Sequence, residues 1–200
     1  MRKTSHHLNL LGILLLAGIV MSGSCRQALP TGYRTYSLPD KGISHLSFEY
    51  PASFNVRQVE LYDDTGYERM DIDGPFSRTT RDRITIWVVA QRYSTPITIA
   101  DLVQNSVGVA QGLSGYVQKD RSTISFNGIT AEQYAYFYYS TRTDYETKIL
   151  GFTPAPTVTR EVFFSYANLD WTIGMTADEN SASSDTPGFE HLLNSLVMLP

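Results

Sequence analysis

Hydrophobic and polar positions alternate with period two through most of the chain after residue 32, and shift to helical spacing in two places. Tyr33 to Leu38 and Ile43 to Tyr50 read as a hairpin, with Pro39, Asp40, Lys41 and Gly42 supplying the turn and Pro51 ending the second strand. Asn55 to Tyr62 and Tyr67 to Ile72 flank Asp63, Asp64, Thr65 and Gly66, which predicts a second pair. In the next strand Ile84, Ile86, Val88 and Ala90 share one face and Thr85, Trp87, Val89 and Gln91 the other, the pattern of a central strand covered on both sides.

Helical spacing begins at Thr98, a capping residue with Asp101 three positions on, and continues through Leu102, Val103, Val107, Ala110 and Leu113, with Gly115 as the stop. Strands resume at Tyr116 to Phe126, turn at Asn127-Gly128, and return through Ile129 to Arg142. After a proline-rich loop at 151–157, Arg160 to Ala177 predicts a hairpin turning near Asn168. The run ADENSASSDTPG reads as a polar linker. Phe189, Leu192, Leu193, Leu196 and Val197 then mark a terminal amphipathic helix.

The first 24 residues follow a different rule. A positive start at Arg2 and Lys3 precedes a 13-residue apolar core, Leu8 to Val20, and then small residues, the layout of a secretory signal. That core is short for a bilayer span, which takes about 20 apolar residues. Gly23, Ser24 and Cys25 resemble the end of a bacterial lipoprotein signal, cut immediately before a cysteine that carries diacylglycerol. Ser22 departs from the aliphatic residue usual three places before that cysteine, and Ser22 with Ser24 also forms a small-x-small site for an ordinary signal peptidase.

Cys25 is the only cysteine of the chain, so no internal disulfide is open to it. Acylation removes the liability of a free thiol in an oxidising compartment; an incidental free cysteine and an intermolecular disulfide are the alternatives. Residues 25–32, rich in turn formers at Pro30 and Gly32, read as a tether, and seven flexible residues reach on the order of 15 Å. The organisation expected is a signal at 1–24, a lipid-anchored tether at 25–32 and one domain at 33–200.

Composition narrows the function classes. Two hundred residues with 42% hydrophobic content suffice for one domain with a real core. Without Arg2 and Lys3 the chain carries 14 basic against 20 acidic side chains, a balance that disfavours a nucleic-acid partner. Arg78, Arg81 and Arg83, interrupted by Asp82, read as a solvated loop entering a strand.

Several segments together carry a family resemblance: LSFEYPASF, the helix after Thr98, FNGITAEQYAYFY, the late hairpin, and the closing FEHLLNSLVML. Over Gly42 to Leu199 they resemble the PsbP-like group of extracytoplasmic domains, which is named for an extrinsic photosystem II subunit and includes many bacterial lipoproteins. The resemblance implies an α+β fold, an antiparallel sheet flanked by helices in an α/β/α sandwich. It also implies an accessory, assembly or ligand-binding role without a catalytic residue.

Candidate chemistry is sparse. Asp71, Asp73 and Gly74 echo a fragment of a calcium loop whose remaining ligands are missing, and read as solvated turn acids beside Asp63 and Asp64. His45 and His191 lie far apart with no zinc-type spacing. Ser114 in GLSG lacks the fifth position of a nucleophile elbow. Glu132, Asp144, Glu146 and Glu161 are scattered, and no glycine pattern cradles a phosphate. Tyr134, Tyr136 and Tyr138 share one strand face, as a ligand platform or, preferably, as a layer under a helix; Ala135, Phe137 and Tyr139 take the other.

The reading is therefore a lipoprotein acylated on Cys25, held at the extracytoplasmic face of a membrane. Its domain is expected to be a non-catalytic binding or accessory module for an envelope protein or a small ligand, without metal or cofactor. The alternative is a secreted or envelope hydrolase whose site is assembled across strands.

Overall fold

The chain folds as ten strands and two helices over the residues that the computed structural model describes, 32–37, 43–62, 66–76, 83–141 and 154–199. In order these are β1 (Tyr33–Ser37), β2 (His45–Pro51), β3 (Asn55–Tyr62), β4 (Tyr67–Phe76), β5 (Arg83–Gln91), α1 (Ile99–Gln111), β6 (Val117–Phe126), β7 (Ile129–Tyr139), β8 (Pro156–Tyr166), β9 (Leu169–Asp178), α2 (Glu179–Ser195) and β10 (Val197–Leu199). Seven strands form an antiparallel sheet in the order β3-β4-β5-β9-β8-β7-β6; β1, β2 and β10 form a second, three-stranded sheet. The expected signal, Cys25, the expected tether to residue 31, the turn expected at 39–42, Asp63 to Thr65, Arg78, Arg81, Asp82, Asp144 and Glu146 lie outside the described residues.

Two apolar layers cover the large sheet. Leu46, Phe48 and Tyr50 of β2 and Phe189, Leu192 and Leu193 of α2 meet Ile86, Val88, Val162, Phe164, Trp171 and Ile173 on one face. On the other, Leu102, Val103, Val107 and Ala110 of α1 close over Tyr134, Tyr136 and Phe163. The fold is thus the expected antiparallel α+β sandwich with a helix on each side. Its turns follow the sequence chemistry: Asn127 and Gly128 both take positive φ, 47° and 76°, as a two-residue hairpin demands. The Asn127 amide then donates to the carbonyls of Asn194 and Leu196 at 3.0 Å, tying that turn to the end of α2.

Four expectations are corrected. The polar run after Asp178 is no linker: Asp178 accepts from the Asn180 N–H as an N-cap, and α2 runs straight through it, Pro187 included. Its hydroxyls turn back onto carbonyls one turn earlier, Thr186 to Ala182 at 2.8 Å for example, so polarity here satisfies the helix instead of ending it. The terminal helix stops at Ser195, and Val197 to Leu199 pair with β2 as β10. The first helix ends at Gln111, before Gly115, which lies in the following turn at φ 67°. Finally, β5 is covered on one face only; Thr85, Trp87 and Val89 on the other are half-exposed.

Candidate functional site

Helix α1 packs chiefly on β7 and β8. Strand register shows what this leaves open. Directly opposed residues of an antiparallel sheet share a face, and one rung runs Tyr134, Glu161, Gly174, Trp87, Asp71 from β7 to β4. The next runs Tyr136, Thr159, Thr176, Thr85, Asp73. The first two residues of each rung are buried; Trp87, Thr85 and Thr176 on the β9-β5 arm are half-exposed. The α1 side of the sheet is thus a covered half and an open half.

The open half has a defined floor. The Trp87 ring lies so close over Gly174 that a Cβ there would stand 2.1 Å from the indole Cζ2. Gly174→Ala is therefore expected to swing Trp87 outward, at about 1–3 kcal/mol of stability. Indole fluorescence moving to a solvated position checks this; an unchanged spectrum would refute the contact.

Beside the indole stands an ion-pair cluster. Asp71 and Asp73 sit in strand β4 with side chains 5% and 8% exposed, not in a solvated turn. Arg57 bridges both, Nη2 to Asp71 at 2.9 Å and Nε to Asp73 at 3.2 Å. Arg69 reaches Asp71 and Arg83 reaches Asp73, each at 3.0 Å, while Thr85 donates to Asp73 at 3.2 Å. The register slips between Val56 and Gln58, and this bulge aims the Arg57 side chain onto the acids. Three guanidiniums thus hold the carboxylates that resemble a calcium fragment in sequence. An open cleft of about 400 Å³ follows, lined by Ser53, Asn55, Arg57, Asp73, Gly74, Pro75 and Arg83. The sequence marks Asp71, Asp73 and Arg83 separately and for other roles; β3-β4-β5 pairing joins them and brings in Arg57, 26 positions before Arg83.

The remaining candidates fall elsewhere. Tyr134 and Tyr136 are buried beneath α1, with Tyr138 partly buried against the same layer. Burial pushes both phenols of Tyr134 and Tyr136 well above the ordinary tyrosine range, and the Tyr134 and Tyr116 hydroxyls meet at 2.5 Å. Glu161 lies in the same covered half and accepts from the Ser106 hydroxyl of α1. Burial raises its pKa above the usual carboxyl value, opposed by the Ser106 bond. Glu132 accepts from Thr123 at 2.7 Å on an exposed stretch.

His45 is exposed on β2. His191 Nε2 pairs with Glu49 at 2.7 Å, and Tyr33 stacks on its ring at 3.6 Å. Ser195, one turn on, donates to the Leu192 carbonyl and accepts from the Glu49 N–H. The side chains of His191, Glu49, Tyr33 and Ser195 fasten α2 to β1 and β2. Ser114 lies in the turn after α1, its carbonyl taken by the Tyr139 N–H at 2.8 Å.

No family model matches the sequence, and no curated protein matches it either. Solved structures do. A protein described as LpqN, involved in cell envelope biogenesis of Mycobacterium tuberculosis, aligns at TM-score 0.54 and 13% identity, over 85% of this chain and 93% of that one. Cyanobacterial PsbP (CyanoP) from Synechocystis aligns at 0.52 and 13%, over 89% and 99%. A Pseudomonas aeruginosa protein of unknown function, PA94, described as a putative regulator, aligns at 0.52 and 15%, over 84% and 98%. At such identities the likeness is one of fold, and the fold is PsbP-like.

Proposed function

We propose that the chain is a lipid-anchored, extracytoplasmic accessory module, acylated on Cys25 and binding an envelope protein or small ligand without turning it over. The observation that carries the binding part is the open half of the sheet, a wide polar floor with an aromatic centre. Its acids are locked in ion pairs to arginines, an arrangement suited to holding a partner and poor for shuttling protons. Glu161, whose pKa burial raises, lies one strand from that floor, opposite Gly174, with its carboxylate held by the Ser106 hydroxyl of α1. The signal layout and the single cysteine support the anchor, and the fold shared with an envelope-biogenesis protein supports the location.

Among the described residues no helix is long and apolar enough to cross a membrane. The anchor in this reading is Cys25. Two acyl chains give stable anchoring where one gives marginal binding. Confinement on a short tether raises effective concentration toward membrane partners to the millimolar scale.

Intact mass of the chain taken from membranes tests the anchor. The wild type is expected to begin at Cys25 with diacylglyceryl on sulfur, and Cys25→Ser to lose both the added mass and the membrane fraction. A wild-type chain starting at Cys25 with a bare thiol would refute it. Reproducible turnover without any binding partner would overturn the accessory role.

A further inference from the structure

The cleft beside β3 is lined by both acid and base, but only the bases reach its mouth. Asp73 lines it, yet the side chain is 8% exposed, while those of Arg57 and Arg83 are 51% and 45% exposed. The buried carboxylates face inward and hold the guanidiniums in place, so the cleft mouth presents N–H groups. The ion pairs of Arg57 use Nε and Nη2, which leaves its Nη1 edge for a ligand. Ser53 and Asn55 add neutral hydrogen-bonding groups at the rim.

We propose that this cleft binds a phosphate group. A guanidinium fork matches phosphate oxygens bidentately, and a fork already fixed by buried acids loses little freedom on binding. The cleft volume of about 400 Å³ falls within the range of small-ligand sites. Its position also brings a source of phosphate close. The Gly32 carbonyl accepts the Ala52 N–H at 2.9 Å, and Ser53, the next residue, lines the cleft. The chain therefore enters the domain at the arginine cleft, and a tether of seven residues puts lipid headgroups within roughly 15 Å of that point. A free phosphate ester is the other source of the same chemistry. The inference deepens the binding-module reading, and it draws on the anchor only for the headgroup source.

The test uses the chain from residue 25 with Cys25→Ser, which keeps every residue of both apolar layers and cannot be acylated. One arm measures retention on vesicles of phosphatidylcholine with and without phosphatidylglycerol, at low and high salt; the other measures binding of inorganic phosphate. Asn55→Glu and, independently, Ser53→Glu place a carboxylate at the rim without removing an ion pair. Either is expected to weaken binding about fivefold or more. Lys119→Gln, on the exposed far-edge strand β6, makes the same change in net charge and is expected to leave binding intact.

Retention on the anionic vesicles, lost in high salt, assigns the headgroup; phosphate binding without retention assigns a soluble ester. Both sustain the cleft. Absence of both, or equal loss in Lys119→Gln and the rim variants, overturns it. Because acylation plays no part in these arms, a failed anchor and a failed cleft give different results.

Discussion

Phe189→Ala is expected to lower stability by about 3–5 kcal/mol, because a fully buried phenyl leaves both its transfer energy and a cavity behind. The ring is part of the apolar layer that α2 and β2 build on the sheet, with the Arg160 guanidinium 5.4 Å from its centroid. Arg160 in turn pairs with Glu190 at 3.2 Å and donates to Gln133 at 2.6 Å, so the loss reaches β7. Urea unfolding reads the total. Hydrogen exchange is expected to show α2, β2 and β10 opening together, since α2 packs on β2 and β10 pairs with it. Val109→Ala on the exposed face of α1, where the valine is 73% exposed, is expected to stay within about 0.5 kcal/mol. A cost under about 1 kcal/mol for Phe189→Ala would mean that α2 is not docked as described.

That variant also bears on what the sequence made legible. The hairpins from β3 onward, α1 and its apolar stripe, and the burial of Tyr134 and Tyr136 follow from period-two and helical spacing, because packing enforces those periods. The first ten residues of α2 carry no such stripe. Only Phe189, Leu192 and Leu193 near its end are deeply buried, and the polar turns before them are held by the Asp178 cap and hydroxyl-to-carbonyl bonds. A helix stabilised from one end reads locally as a linker. The arginine cluster was hidden for another reason. Asp71 and Asp73 look like metal ligands or turn acids until strand pairing delivers Arg57 from one neighbour and Arg83 from the other. The register between neighbouring strands, with its slip at Arg57, is the information that local pattern lacks.

Glu161→Gln is expected to flatten the pH dependence of stability and to stabilise the domain at neutral pH. Glu161 sits in the covered half between α1 and the sheet, and burial raises its pKa in the folded state above the ordinary carboxyl value. Below that ordinary value the folded and unfolded chains are both protonated, and the group costs nothing. As pH rises, the unfolded chain releases the proton first while the folded chain retains it. Stability therefore falls with rising pH across the window up to the raised folded pKa, by at most about 1.4 kcal/mol per pH unit for one proton. Above the window both states are ionised and the loss stays constant.

Glutamine keeps the shape and still accepts from the Ser106 hydroxyl, without the charge. The wild-type and variant curves are expected to meet near pH 4 and to separate as pH rises, with the variant above. Every other ionisable side chain is common to both chains, so the difference curve reads the substitution at Glu161. Tyr134 and Tyr136, whose phenols Glu161 also pushes upward, are expected to titrate earlier in the variant. Parallel stability curves from pH 4 to 8 would show that the carboxyl is solvated, and that α1 does not close over the sheet at Ser106.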